Sequence, residues 1–342
     1  MDIEQYAFVP AEGGPLTIDG ELPHVGGGWE LDPLRKLLPG NPRYLRVAAH
    51  VDLTAEHALR LRVFGHVDAP GTPPEQIVVP EPLRPAFEQC LAELAGAPVP
   101  AARPAWAREG WHEQVEAWAR MPLEQANSWP LAAVLRNGDV WFKAVFPLFH
   151  YEPAVTQAIG MPRVLRSDHD RGWMLMEGAH GDELDHTVAL QAIAAVHREW
   201  STRIDEALAL GAPDRRATSA LPHTLIHGDY HAGNVLGSTI IDWSDAAVAN
   251  PLHDVNHYLL FNARDEQHRH ELLAAYGEAY GADVRAAANA CEAETYEYVA
   301  QSYAGITAAL ADDDKWWFAN EEARWLTWAS DVRAGRRPSR GT

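Results

Sequence analysis

The chain has 342 residues, 47% of them apolar, with a formal net charge of −20 and a pI near 5.2. That length suggests two domains, or one large domain with an accessory piece, and the acid excess argues against nucleic acid, whose phosphates need a basic surface. Two distant cysteines, Cys90 and Cys291, offer no disulfide framework and fit a reducing cytoplasm. The acidic N-terminus lacks the basic and apolar stretches of a signal peptide, and no run approaches the roughly 18 apolar residues of a membrane span.

Residues 1–44 are rich in Gly and Pro and give weak patterns. YLRVAAHVDL and ALRLRVFGHV alternate and carry β-branched residues, so they read as two strands. PLRPAFEQCLAELAG reads as a helix closed by Gly96. The Pro/Ala stretch 97–105 reads as a linker, and the main boundary is placed there. REGWHEQVEAWARM then reads as an amphipathic helix. PLAAVLR and DVWFKAVF flank Asn137-Gly138, the pair that a type I′ turn favours, and read as a hairpin. EPAVTQAIG is a short helix with Pro153 tolerated in its first turn. RGWMLMEG is a strand and TVALQAIAAVHREW a helix; beyond residue 255 the chain is mostly helical. A strand-rich segment thus precedes a helix-rich one.

Between those helices stands HGDYHAGN, residues 227–234. Three readings compete. His227, Asp229 and His231 could ligate zinc in a hydrolase, although no further ligand motif accompanies them. The stretch could be a polar structural turn. Or it is a phosphoryl-transfer loop of the pattern H-x-D-x-x-x-x-N, whose Asp accepts a hydroxyl proton and whose Asn holds magnesium. The last reading requires a hairpin that ends in a second metal-binding Asp. NVL, a Gly237-Ser238 turn and TIIDW supply it, so Asn234 and Asp242 should emerge at one end of the hairpin as hard oxygen ligands. It also requires an upstream lysine on a strand. Lys143, in VWFK, is that candidate, and Glu152 on the following helix is its expected ion-pair partner.

With VWFKAVF, WMLMEGAHG, LIHGDYHAGNVL and IIDWSDAAVANPLHDV in place, the sequence resembles the aminoglycoside phosphotransferase / choline kinase-like superfamily of small-molecule kinases over about residues 108–335. The resemblance implies an α+β, protein-kinase-like bilobal fold, with a β-rich N-lobe at 106–178 and a helical C-lobe at 179–336. An extra N-terminal α+β region, residues 1–100, would precede it as an accessory or cap piece. It implies ATP and Mg²⁺ as cofactors, Asp229 as catalytic base, Asn234 and Asp242 as metal ligands, and Lys143 and Glu152 at the phosphates. Met176, Glu177 and Ala179 would form the hinge at the adenine. No Gly-rich phosphate loop is visible; EQANSWP takes its place, with Ser128 as the contact. The expected partner is a small-molecule hydroxyl acceptor: an aminoglycoside, amino sugar, neutral sugar or choline-like compound. Asp245, Tyr296, Glu297, Trp316 and Glu321 are the acceptor candidates. The rival from another class is a kinase-like protein that binds nucleotide without turnover.

Overall fold

The first sheet joins β1 (Asp2–Phe8), β2 (Tyr44–Asp52) and β3 (His57–Phe64), with β3 antiparallel to β2 and parallel to β1. The two alternating stretches form the expected strands. β1 was hidden from pattern reading because its inward positions are Ile3, Gln5 and Ala7, and a glutamine interrupts the apolar alternation. Gln5 is buried nonetheless, and its Oε1 accepts from the buried Arg62 guanidinium. The computed structural model that shows this describes residues 2–336 apart from 28–30, 55, 99–102, 182–183, 218 and 220. Part of the stretch 97–105, read as a linker, therefore lies outside the described residues.

Contacts divide the chain into two compact units, Met1–Asn137 with Ala309–Trp317, and Gly138–Ala308 with Phe318–Thr342. In the first unit, helix α1 (Arg84–Leu94) lays Phe87 and Cys90 against the sheet, in a core with Phe8, Leu59 and Leu61. Helix α2 (Trp111–Ala119) and the pair β4 (Glu124–Ser128) and β5 (Ala132–Asn137) complete it.

The second unit opens on β6 (Val140–Val145), just after Gly138, whose φ is 55°; Asn137 ends β5 and has no positive φ, so the chain turns at Gly138-Asp139 and not in the type I′ turn expected at Asn137-Gly138. Helix α3 (Glu152–Ile159) follows, closed by Gly160 in the left-handed region. β7 (Val164–Asp168) and β8 (Trp173–Glu177) pair antiparallel, and β8 pairs antiparallel with β6, which sets Lys143 opposite Met174. Helices then dominate: α4 (His186–Trp200), α5 (Leu252–Asn262), α6 (Glu266–Tyr280), α7 (Arg285–Ala309) and α8 (Glu321–Arg333). Leu190, Ile193 and Trp200 recur along one face of α4, where they meet Tyr230, Trp243, Val255 and Leu273 in the main core. Each such large side chain contributes about 1.5–3 kcal/mol when buried.

Between α4 and α5 the chain forms β9 (Thr224–Ile226), the small hairpin β10 (Val235–Leu236) and β11 (Thr239–Ile240), and β12 (Ala247–Ala249), which pairs with β9. The fold class is α+β, with the strand-rich part of the chain preceding the helix-rich part. Among the described residues no helix is long and apolar enough to cross a membrane.

Candidate active site

Lys143 is 5% exposed, so it is no edge-strand surface lysine. Its strand β6 buries Phe142, Ala144 and Val145 around it. An ammonium in such surroundings needs anionic partners, and it has two. Nζ donates to Glu152 Oε1 at 2.7 Å and to Asp242 Oδ1 at 2.6 Å. Glu152 is fully buried in the first turn of α3, where the helix dipole favours a carboxylate. Burial opposes the charge of Lys143, but Asp242 and Glu152 outweigh it and hold the ammonium well above its ordinary range. Burial pushes Glu152 up to about 7, with Lys143 pulling down and Asp242 adding to the rise.

The HGDYHAGN loop is held from beneath by Asp254, a fully buried acid on α5. Its Oδ2 accepts the His227 amide at 2.7 Å and faces His197 Nε2 at 3.0 Å, while its Oδ1 accepts the Gly228 amide at 2.8 Å. Two consecutive amides can aim at one carboxylate because Gly228 adopts φ 85°, and a Cβ there would meet the Asp245 carbonyl oxygen at 2.1 Å. His227 shapes the loop: Nε2 lies 2.9 Å from the Ile241 carbonyl and Nδ1 accepts the Asp229 amide. Both ring nitrogens are thereby used, which leaves no lone pair for zinc. Among the described residues no group of three or more His, Cys, Asp or Glu is placed to hold a metal ion.

The hairpin brings Asn234 and Asp242 to one end. Val235 pairs with Ile240, and the Ile241 amide donates to the Asn234 carbonyl at 3.0 Å. The Asn234 side-chain Nδ2 donates to the Asp229 carbonyl at 2.9 Å, so its oxygen is the atom left to ligate. Asp242 has φ 65°, an uncommon conformation that aspartate tolerates better than most residues. Lys143 and the Ser244 hydroxyl both contact its Oδ1, and its Oδ2 and the Asn234 side-chain oxygen are the hard oxygens that could ligate. That pair suits Mg²⁺, which takes one or two protein oxygens and completes its shell with water and phosphate.

The carboxylates are pushed apart in acidity. Burial opposes the charge of Asp229, yet His231, His257 and His227 hold it well below the ordinary carboxylate range. Burial, then the charges of Asp229 and Asp242, push Asp245 up to about 7. One ionised and one protonatable acid side by side is the pattern of sites that assign acid and base work.

Lys143, Glu152, Asp229, Asn234, Asp242 and Asp245 thus belong to one neighbourhood of the second unit. At the end of β8, half-buried Met176 and Glu177 lead to Ala179; the Glu177 amide donates to the Arg163 carbonyl and the Gly178 amide to the Asp139 carbonyl. Ser128 belongs to the first unit, where its hydroxyl accepts from Gln125 and borders a cavity of about 470 Å³ lined also by Tyr44, Trp106 and His112. Trp316 also belongs to the first unit, stacked on His50 and Trp317. Tyr296 is fully buried with its hydroxyl on Glu292, so it offers no surface to a ligand. Glu297 is engaged by Arg333, and Glu321 by Arg324 at 2.8 Å. Sequence reading missed His257, which reaches Asp229 from α5. A signal was present: His257 follows Asp254 by three residues, and i, i+3 positions share a helix face.

The model of the phosphotransferase enzyme family matches residues 34–291. No curated protein sequence matches. Among solved structures, a choline/ethanolamine kinase family protein from Mesorhizobium loti is 17% identical over 72% of this chain and 94% of that one, with a TM-score of 0.40. Choline kinase LicA from Streptococcus pneumoniae is 12% identical over 65% and 97%, with a TM-score of 0.45. The GDP complex of wild-type aminoglycoside 2'-phosphotransferase-IIIa is 14% identical over 67% and 98%, with a TM-score of 0.41.

Proposed function

The chain belongs to the phosphotransferase enzyme family, and from that premise we propose that it transfers the γ-phosphoryl group of ATP to a hydroxyl of a small molecule. The observation that carries this reading is Lys143, buried between Glu152 and Asp242, with Asp242 brought by its hairpin beside Asn234. Glu152 would steer Lys143 toward the nucleotide phosphates. The oxygens of Asn234 and Asp242 would hold Mg²⁺, whose chemistry is to neutralise charge on the phosphoryl oxygens. Asp229, kept ionised by its histidines, would accept the hydroxyl proton and fix the angle of attack. Residues 176–179, with the backbone of Glu177 and Ala179, would meet the adenine.

On the acceptor side, Asp245 supports a ligand with hydroxyl or amino groups, because a carboxyl raised to about 7 can donate or accept near neutrality. Aminoglycosides, amino sugars, neutral sugars and choline-like alcohols share that chemistry at least in part. Residues 1–100 supply none of the groups in this cluster and are read as an accessory region. The test is Mg·ATP consumption by the pure protein against a panel of those acceptors, with Asp229→Asn as control. Turnover with one acceptor class that vanishes in the variant supports the reading. Nucleotide binding with no turnover anywhere in the panel would favour a kinase-like binding protein instead.

A further inference from the structure

The two oxygens of Asp229 face two imidazoles. Oδ2 lies 3.6 Å from His231 Nε2, and Oδ1 lies 3.7 Å from His257 Nε2. These spacings are looser than a hydrogen bond, as is common before substrate binds. His231 Nδ1 accepts the Gly233 amide, and its Nε2 lies 3.3 Å from the Asn234 side-chain amide nitrogen as well as near Asp229. His257 Nδ1 lies 3.1 Å from the Tyr230 carbonyl, which can only accept, so the hydrogen sits on Nδ1 and Nε2 turns a lone pair toward Asp229. The His257 ring is 3% exposed, stacked on Trp325 at 5.4 Å and flanked by Phe261 at 4.8 Å, which fixes this orientation.

We propose that His257 is a positioning residue that acts through Asp229, taking onto its Nε2 the proton that Asp229 removes from the acceptor hydroxyl. The inference rests on the reading of Asp229 given above. In the step, the acceptor oxygen bonds to the γ-phosphorus while the bond from that phosphorus to the β–γ bridging oxygen breaks. The departing diphosphate keeps the electron pair. The hydroxyl proton passes to Asp229 and on to His257, which leaves a carboxylate and an imidazolium; the imidazolium releases its proton to water after the product leaves.

The surroundings favour that direction. Burial keeps His257 neutral beforehand and His231 adds to this, while Asp229, the Tyr230 carbonyl and Asp254 on its own helix work the other way. From α8 the uncharged Trp325 stacks on it.

The test uses the full chain with Mg·ATP and water as acceptor, read as ADP release across pH, for wild type, His257→Asn and Asp229→Asn. Asparagine keeps an N–H for the Tyr230 carbonyl but has no atom at Nε2. Protonation of His257 should suppress wild-type turnover at low pH. The variant should lose about tenfold in kcat, less than the roughly 10²-fold or more expected for loss of the base itself. Its KM for ATP should hold, and its acid limb should move to lower pH. An unchanged acid limb in His257→Asn, with Asp229→Asn still impaired, overturns this proposal and leaves the proposed function standing. Wild-type rates in Asp229→Asn overturn both. Nitrogen NMR of histidine-labelled wild type decides the matter should the variant fail to fold: hydrogen on His257 Nδ1 is expected, and hydrogen on Nε2 overturns the proposal.

Discussion

Each unit holds a charge cluster around a half-buried or buried centre, and the two are inverses in their central charge. In the first unit one acid lies between two bases: Glu93 is 3.1 Å from Arg46 and 2.6 Å from Arg103. In the second, one base lies between two acids: Lys143 is held by Glu152 and Asp242. Burial opposes the charge of Glu93, but Arg46, Gln89 and Arg103 carry it below the ordinary range. Glu152, in contrast, rises to about 7, and Asp245 nearby does the same. An acid between guanidinium groups is satisfied where it stands. A lysine shared by two carboxylates leaves negative charge in surplus, and that surplus suits a cation and the phosphates it accompanies. The first arrangement ties the N-terminal unit together; under the proposed function the second would take the nucleotide and its cation.

The largest way to break this contrast is Asp229→Asn. Loss of a positioned base costs about 10²–10⁴-fold in turnover, and the acceptor assay should show at least the lower figure with nucleotide affinity little changed. Next comes removal of the central charge from each cluster. Lys143→Met strands two carboxylates and should destabilise the fold by about 3–5 kcal/mol at pH 8, with ATP affinity lost as well. Glu93→Gln should destabilise the fold by less, with ATP affinity intact. Urea unfolding and calorimetric titration of both variants measure the pair; loss of ATP binding in Glu93→Gln would erase the distinction. The smallest effect is expected at Asp245. A carboxyl raised in the folded state contributes stability that is complete below its ordinary value, about 4, and is lost as pH rises through about 7. Asp245→Asn should therefore melt at a higher temperature than wild type at pH 8, and the gap should close at pH 4.

Much of this was legible in the chain because the chemistry is local. Asn234 and Asp242 are separated by one tight hairpin, so their spacing alone places them together, and Lys143 and Glu152 lie nine positions apart across one turn and the start of a helix. The sheet of the second unit was readable from its turn glycine and alternating strands, apart from β7, which pattern reading passed over. What stayed hidden is long-range or polar. β1 escaped because Gln5 occupies a core position that only Arg62, fifty-seven residues on, makes acceptable. Tyr296 looked like a ligand-facing aromatic because helical periodicity does not say which face of α7 is covered by α8. His257 lay outside every motif, although Asp254 on the same face already pointed to the loop it supports.

The central claim, that the lysine–carboxylate cluster is a nucleotide and magnesium site, is met most directly by calorimetric titration of ATP into the full chain with and without Mg²⁺, for wild type and Asp242→Asn. Binding that depends on Mg²⁺ in wild type, with that dependence lost in the variant, is the expected result. Equal affinity with and without Mg²⁺ in both proteins, or no binding to wild type at all, would contradict it.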